Sequence, residues 1–233
     1  LTYTAGSNGS LSGNANQTVN YGTDGTSITA IPNSGYHFTN WTSGGTVVST
    51  SASRTDRAVM ANVTLQANFA MNVFTLTYTA GTGGTITGSS PQSVNQGANG
   101  TSVTAVPSAG YNFVSWSDGV LTASRQDKSV MSDLTVSATF APITYTFTSS
   151  TGANGTITPL GTSTVAYGAT PTYNFIPSTG YYVTSVTVDG NPVSPTPTTS
   201  YTFTSVTGPH TIAVAFDIQS YSVSYTCLLY TSP

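Results

Sequence analysis

The chain repeats itself, and that constrains its fold more than any single motif. Leu1-Thr-Tyr-Thr-Ala-Gly6 recurs as Leu76-Thr-Tyr-Thr-Ala-Gly81, and Gly35-Tyr-His-Phe-Thr-Asn-Trp41 recurs as Gly110-Tyr-Asn-Phe-Val-Ser-Trp116. Both pairs share one offset, so no gap falls between them. A chain made of copies folds as copies, each a supersecondary unit that buries its own apolar face or its neighbour's. After the Trp the first copy is four residues longer, and the two close at Phe69-Ala70 and Phe140-Ala141. A diverged third copy runs from Thr146-Phe-Thr-Ser-Ser-Thr-Gly152 through Ile176-Pro-Ser-Thr-Gly-Tyr181 to Ala215-Phe216, with Val186 at the Trp position. The spacing divides the chain into modules at 1–71, 72–142 and 143–217.

A fourth copy opens in 218–226, at Tyr221-Ser-Val-Ser-Tyr-Thr226, and the pattern then stops. Residues 227–233, Cys-Leu-Leu-Tyr-Thr-Ser-Pro, hold the sole Cys and do not continue the repeat. The codons TGT CTC TTA TAC ACA TCT CC spell them, a string that looks like a transposase adapter used in shotgun sequencing. We therefore read 227–233 as translated adapter and leave it out of fold reasoning. On that reading the natural region has no Cys and no disulfide framework, and the chain is a fragment at both ends.

Each module reads as strands and turns. In the second, Phe74, Leu76 and Tyr78 alternate with three Thr, the period of a half-buried strand. Gly81-Thr-Gly-Gly84 is a turn, and Thr85-Ile-Thr87 is expected to return as a partner strand. Thr101-Ser-Val-Thr-Ala-Val106 ends at Pro107, which has no N–H for a ladder. Ser117-Asp-Gly119 is a turn, and Leu134-Thr-Val-Ser-Ala-Thr-Phe140 closes the module with its apolar residues inward. Asp189-Gly190 in the third copy is a hairpin signal. No window has a 3.6-residue period. The expected fold class is therefore all-β and helix-poor, an elongated tandem array of three small β modules. Each module, of about 70 residues, is near the lower size limit for a core, with Tyr36, Phe38, Trp41 and Tyr111, Phe113, Trp116 supplying much of it. The linkers Met71-Asn72, Pro142 and 217–219 are short enough to restrain neighbouring modules.

Composition narrows function. Charged residues are 5% of the chain, against roughly 25% in an ordinary soluble protein; the seven acids are all Asp, facing four Lys+Arg. So few cations exclude a phosphate-binding face and a basic membrane-surface helix, hence no nucleic acid. No apolar run approaches the roughly 20 residues needed to span a bilayer, hence no membrane insertion in this segment.

The strand, Gly turn and Thr-Ile-Thr, then (Val/Ile)-Pro-x-x-Gly-Tyr-x-Phe-x-x-Trp, then a closing Val-x-Ala-x-Phe, resemble the divergent InlB B-repeat family, a Listeria–Bacteroides-type bacterial repeat. The third copy, with its Asp189-Gly190 hairpin and His210-Thr-Ile-Ala-Val-Ala-Phe216, is similar to a variant of it. The resemblance covers roughly 1–226. It implies β-grasp-like or sandwich-like modules on secreted or cell-surface bacterial proteins, where such repeats serve as stalks and some contribute to adhesion. It brings no catalytic residues.

The residues offer little chemistry of their own. His37 and His210 lie in different modules at non-equivalent positions, and a metal or catalytic role needs a convergent partner; both are expected on solvent-facing strands or turns. The four cations fall in Arg54-Thr-Asp-Arg57 and Arg125-Gln-Asp-Lys128, matching segments of the first two copies. They are either a patch for an acidic glycan or wall polymer or, preferred, solvated charge that blocks edge-to-edge sheet pairing. Asp24, Asp118 and Asp189 each precede Gly and mark turns rather than a calcium loop. Lys128 is the single Lys, and with no Glu a Lys–Asn isopeptide cross-link is not expected. The aromatics could stack on sugars, but alternation places most of them inward.

The expectation is thus a non-enzymatic structural spacer or stalk, a monomeric rod, extracellular or on the bacterial cell surface. No catalytic, cofactor or metal residues are assigned, and ligand-binding residues are left open. The alternative is a weak carbohydrate- or host-surface-binding repeat acting by avidity, with cell-wall or host glycans as its candidate partners.

Overall fold

The computed structural model describes residues 1–194, 196 and 199–225. The adapter reading of 227–233 and the end of the expected fourth copy, Thr226, lie outside these residues. Among them there is no helix, and the expected all-β class is what the chain adopts.

The first module contains β1 (Thr2–Ala5), β2 (Gly9–Ser12), β3 (Ile28–Pro32), β4 (Tyr36–Ser43), β5 (Thr46–Ser49), β6 (Ser53–Arg54) and β7 (Thr64–Met71). The second contains β8 (Val73–Ala80), β9 (Gly84–Thr87), β10 (Gln92–Asn95), β11 (Val103–Pro107), β12 (Tyr111–Trp116), β13 (Ser124–Arg125) and β14 (Leu134–Pro142). The third contains β15 (Thr144–Thr151), β16 (Gly155–Thr158), β17 (Gly161–Ala166), β18 (Thr172–Pro177), β19 (Tyr181–Val188), β20 (Asn191–Pro192), β21 (Ser200–Thr202) and β22 (His210–Ile218).

Every module is a two-sheet sandwich. The larger sheets run β1-β7-β4-β5, β10-β8-β14-β12 and β17-β15-β22-β19-β20; the smaller run β2-β3-β6, β13-β11-β9 and β16-β18-β21. In each, the first strand pairs parallel with the last: Tyr3 lies beside Leu65, Tyr78 beside Val136 and Ser149 beside Ile212. The apolar alternation of β8 and β14 explains their faces. Leu76, Tyr78, Val136 and Ala138 are buried while the intervening Thr135 and Thr139 are exposed. Residues of both sheets meet in one core per module. Tyr3, Ile28, Trp41 and Leu65 form that of the first, and Phe147, Tyr173, Val186, Phe203 and Ile212 belong to that of the third.

One expectation fails. Thr85-Ile-Thr87 does not fold back on β8, because β8 already has β10 antiparallel on one edge and β14 parallel on the other. The 81–84 turn instead carries the chain across to the second sheet. Gly84 permits the crossing, since a Cβ there would run into the Phe140 ring. Gly9 against Phe69 and Gly155 against Phe216 repeat the contact. The Asp189-Gly190 hairpin forms as expected, with Asp189 at φ 53° and Gly190 at φ 77°.

By compactness the chain divides into two units. One holds 1–81, 85–106 and 115–139; the other holds 82–84, 107–114 and the chain from 140 onward. The first thus contains the first module and most of the second, while the other contains the third module with the Gly84 and Gly110 turns of the second.

Candidate functional site

The four cations do not form one class. Arg57 is exposed, and its guanidinium is 3.9 Å from Asp24. Arg54 and Arg125, expected in solvent, point inward: their side chains are 16% and 6% exposed. That corrects the edge-charge reading for these two residues. A guanidinium so deeply buried cannot hold an extended wall polymer either. The cause is the short β6 and β13, which pair with β3 and β11 and set alternate residues toward the core.

Inside, each Arg is neutralised by the Asp two residues on and covered by aromatic rings. Arg125 Nη2 donates to Asp127 Oδ1 at 2.6 Å and Nε to Oδ2 at 3.1 Å, while Nη1 donates to Asp118 Oδ1 at 3.0 Å. Its Cζ is 5.1 Å from the Trp116 ring centre and 5.8 Å from that of Tyr78, within cation–π range. The Tyr78 hydroxyl donates to Asp127 at 2.6 Å. The first module repeats the arrangement with Arg54 over Trp41, Asp56 on Arg54, and the Tyr3 hydroxyl 2.7 Å from Asp56. It lacks the second acid, since Ser43 follows Trp41 by two residues where Asp118 follows Trp116. Arg54 Nη1 is accordingly buried without a partner.

The electrostatics follow from this packing. Burial pushes the Tyr3 and Tyr78 hydroxyls far above the ordinary tyrosine range, and the neighbouring carboxylates add to it. Burial also pushes Asp56 and Asp127 up, but the hydrogen bonds from Arg and Tyr outweigh it and hold both below the usual carboxylate range. The Arg125 hydrogen bond does the same for Asp118. The cluster holds fixed charges in fixed states, which suits structure rather than proton transfer.

In the third module the cluster is exchanged as a set. The registers place Ser149 where Tyr78 stands, Val186 for Trp116, Tyr201 for Arg125 and Phe203 for Asp127. Phe203 packs edge-on against Phe147 at 4.9 Å and against Tyr201 at 5.0 Å. An ion pair has given way to an aromatic core, with Phe147 at the place of Leu76 and Tyr173 at that of Val103 filling the space, a replacement that buried salt bridges tolerate.

Each remaining carboxylate accepts a bond. Asp24 accepts the Ala58 N–H, Asp133 that of Thr75 and Asp217 that of Ile218. Asp189 accepts from Thr211 N–H at 2.7 Å and pairs with His210 Nδ1 at 2.6 Å. Burial pushes Asp189 up, but these partners outweigh it and its carboxyl lies below the usual range. His210 is therefore not simply solvent-facing: it begins β22 and lies against the rings of Phe147 and Phe203. His37 is exposed, as expected, and its Nδ1 meets Asn72 Oδ1 at 2.9 Å. Among the described residues no three His, Cys, Asp or Glu side chains converge on a point that could hold a metal ion. Trp41 and Trp116 are 0% and 1% exposed, so neither offers a face to a sugar.

Two features escaped sequence reasoning. Gln92 donates to the carbonyls of Ser89 and Thr101 and accepts the Thr101 N–H, and Gln17 does the same with Asn14 and Thr26. Gln17-Thr-Val-Asn20 and Gln92-Ser-Val-Asn95 fall at the same offset as the other repeated segments, which was the available signal. The other feature is the hydrogen bonding of the junctions, whose shortness the sequence already shows. Asn72 alone separates β7 from β8, and Ile143 alone separates β14 from β15. Asn72 donates its N–H to Gly35 O and accepts from Gln96 N–H; Ile143 donates to Gly110 O and accepts from Tyr167 N–H. Both backbone groups of each one-residue linker are bound.

Tandem two-sheet modules, with a charged cluster in two and an aromatic one in the third, define a β-repeat protein. The chain belongs to the divergent InlB B-repeat family, whose model matches residues 1–73, 74–144 and 145–220. InlB-type B-repeats occur in bacterial surface and secreted proteins. Among solved structures, the Bacillus anthracis TIE protein aligns over 81% of this chain at 12% identity, with a TM-score of 0.26. The chain spans 42% of that protein's chain. No curated protein matches it.

Proposed function

We propose that this chain is a non-enzymatic spacer, extracellular or on the bacterial cell surface, that holds other parts of its protein at a distance. The observation that supports this best is the junction. A linker of one residue, with its N–H and its carbonyl both hydrogen-bonded, has little freedom to swivel, and two successive junctions share the pattern. The chemistry of the side chains agrees. All seven Asp are spent on neutralising Arg, pairing with His210 or accepting backbone N–H groups, and both Trp are core residues. The binding alternative loses the Trp faces and the Arg54 and Arg125 guanidiniums, and is left with exposed side chains such as Tyr21, Tyr182 and Arg57.

The test has two arms. Deleting 72–142 should shorten the maximum dimension seen by small-angle scattering by about the length of one module. The chain should also show no retention on wall polysaccharide. Retention that rises with module number would overturn the spacer role in favour of binding by avidity.

A further inference from the structure

The third module leaves one sheet edge open. β17 spans six residues and pairs with β15 alone, at the end of the larger sheet. The Tyr167 N–H donates to Ile143 O, in register with the β15–β17 ladder. Bonded and non-bonded pairs alternate along an antiparallel ladder, so the bonds to β15 fall at Val165, Ser163 and Gly161. Thr162, Thr164 and Ala166 therefore direct their N–H groups and carbonyls away from β15. Of these groups the Ala166 carbonyl accepts the Ala169 N–H, closing the turn. The others meet no backbone partner among the described residues.

Exposed edges are ordinarily blunted by Pro, by charge or by a bulge. The second module has such a device. Its β10 pairs with β8 as β17 does with β15, and Gln96 bonds Asn72 as Tyr167 bonds Ile143. By that register Pro91 holds the place of Thr162, and a Pro has no N–H to offer. β17 has none of these devices. No Pro interrupts it, its register on β15 is unbroken, and no charged residue occurs in 134–188. Leu160 and Tyr167, which flank the strand, are 61% and 41% exposed.

We infer that a second copy of this chain covers this edge: β17 of one copy pairs antiparallel with β17 of the other, about a two-fold axis at Thr164. The strand is complementary to itself. Thr164 exchanges both backbone bonds with the partner's Thr164, and the Ala166 N–H reaches the partner's Thr162 carbonyl. The antiparallel direction brings the Leu160 end of one strand to the Tyr167 end of the other, on both sides of the axis, so apolar surface is covered at each. No charge is buried or opposed. This is strand addition to a free edge. One patch serves both copies, so the association is isologous and closes at two chains. Strands this short bury far less than the roughly 1,200 Å² of a stable interface, so the affinity is weak and the association concentration-dependent. The inference departs from the monomeric state expected of the sequence and does not rest on the spacer role.

Sedimentation of the chain under reducing conditions tests it: mass should rise with concentration and level off at two chains. Thr164→Lys, at an exposed position, should hold the mass at one chain and leave the thermal midpoint unchanged. Thr162→Pro, which gives β17 the blunt edge of β10, should do the same without adding charge. In a Cys227→Ser background, Thr164→Cys should cross-link to its own copy under mild oxidation. A hydrogen-bonded pair sets the Cα atoms about 5.5 Å apart, within disulfide reach. Thr148→Cys, exposed one strand further into the same face, should cross-link more slowly. A mass of one chain at every concentration overturns the inference. So do growth past two chains, association that survives Thr164→Lys, and equal cross-linking rates.

Discussion

Replacing Arg125 by Met isolates the energetics on which two of the three modules depend. Met keeps most of the volume over Trp116 and Tyr78 and removes the charge. Asp127 and Asp118 then lose their shared cation, with side chains 22% and 33% exposed. Breaking a buried pair by removing one partner costs roughly 3–5 kcal/mol; because water reaches both carboxylates in part, the lower end, about 3 kcal/mol, applies. For a module this size a urea slope of about 1 kcal/mol/M turns that loss into a midpoint about 3 M lower. Urea unfolding followed by Trp fluorescence, in a Trp41→Phe chain so that Trp116 alone reports, measures it. The complementary variant carries the third module's residues at six positions: Leu76→Phe, Tyr78→Ser, Val103→Tyr, Trp116→Val, Arg125→Tyr and Asp127→Phe. Followed by circular dichroism, it should recover most of the loss, since Phe203 in the third module packs on Phe147 and Tyr173 at the places of Leu76 and Val103. A cost below about 1 kcal/mol for Arg125→Met would place the pair with ordinary surface salt bridges and refute the reasoning.

Other consequences follow from the same contacts. Gly84→Ala puts a methyl group against the Phe140 ring and should cost about 1–3 kcal/mol by overpacking, read as a lower midpoint, whereas Gly119→Ala has open space and should cost only its backbone strain at φ 87°. Gln92→Ala leaves the Thr101 N–H without its acceptor and should lower stability by about 1–3 kcal/mol, read in the same way. Asp56, Asp118 and Asp127 are held below the usual carboxylate range, so their stabilisation is complete above the unfolded value of about 3.9 and is lost as pH falls through the folded values. An acid titration of Trp fluorescence should show this loss, and Asp127→Asn should reduce the slope for the second module.

The repeats, the strands and the all-β class were legible because each rests on a local pattern. Phe74, Leu76 and Tyr78 alternate visibly, and Pro107 and Asp189-Gly190 mark boundaries with their own backbone chemistry. What escaped depends on contacts distant in sequence. Thr85-Ile-Thr87 has the composition of a hairpin partner, but the parallel strand β14, far along the chain, holds that edge of β8. Gly84 reads as a turn residue, while its requirement comes from Phe140 at the far end of the module, as that of Gly9 comes from Phe69 and that of Gly155 from Phe216. Arg54 and Arg125 read as solvated because Arg is rarely buried unpaired. The Asp two residues on and the recurring Trp were the pairing partners, visible but not connected. The turn reading of Asp118 held, yet the residue also neutralises Arg125.

Amide hydrogen exchange at the junctions tests the spacer account most directly. The N–H groups of Asn72 and Ile143 donate to Gly35 and Gly110, and those of Gln96 and Tyr167 donate back to the linkers. If the modules are clamped in series, these four amides exchange as slowly as the strand amides of β8 and β15. Exchange at the rate of an open chain at Asn72 and Ile143, with the strands still protected, would show modules strung on free joints and contradict the account.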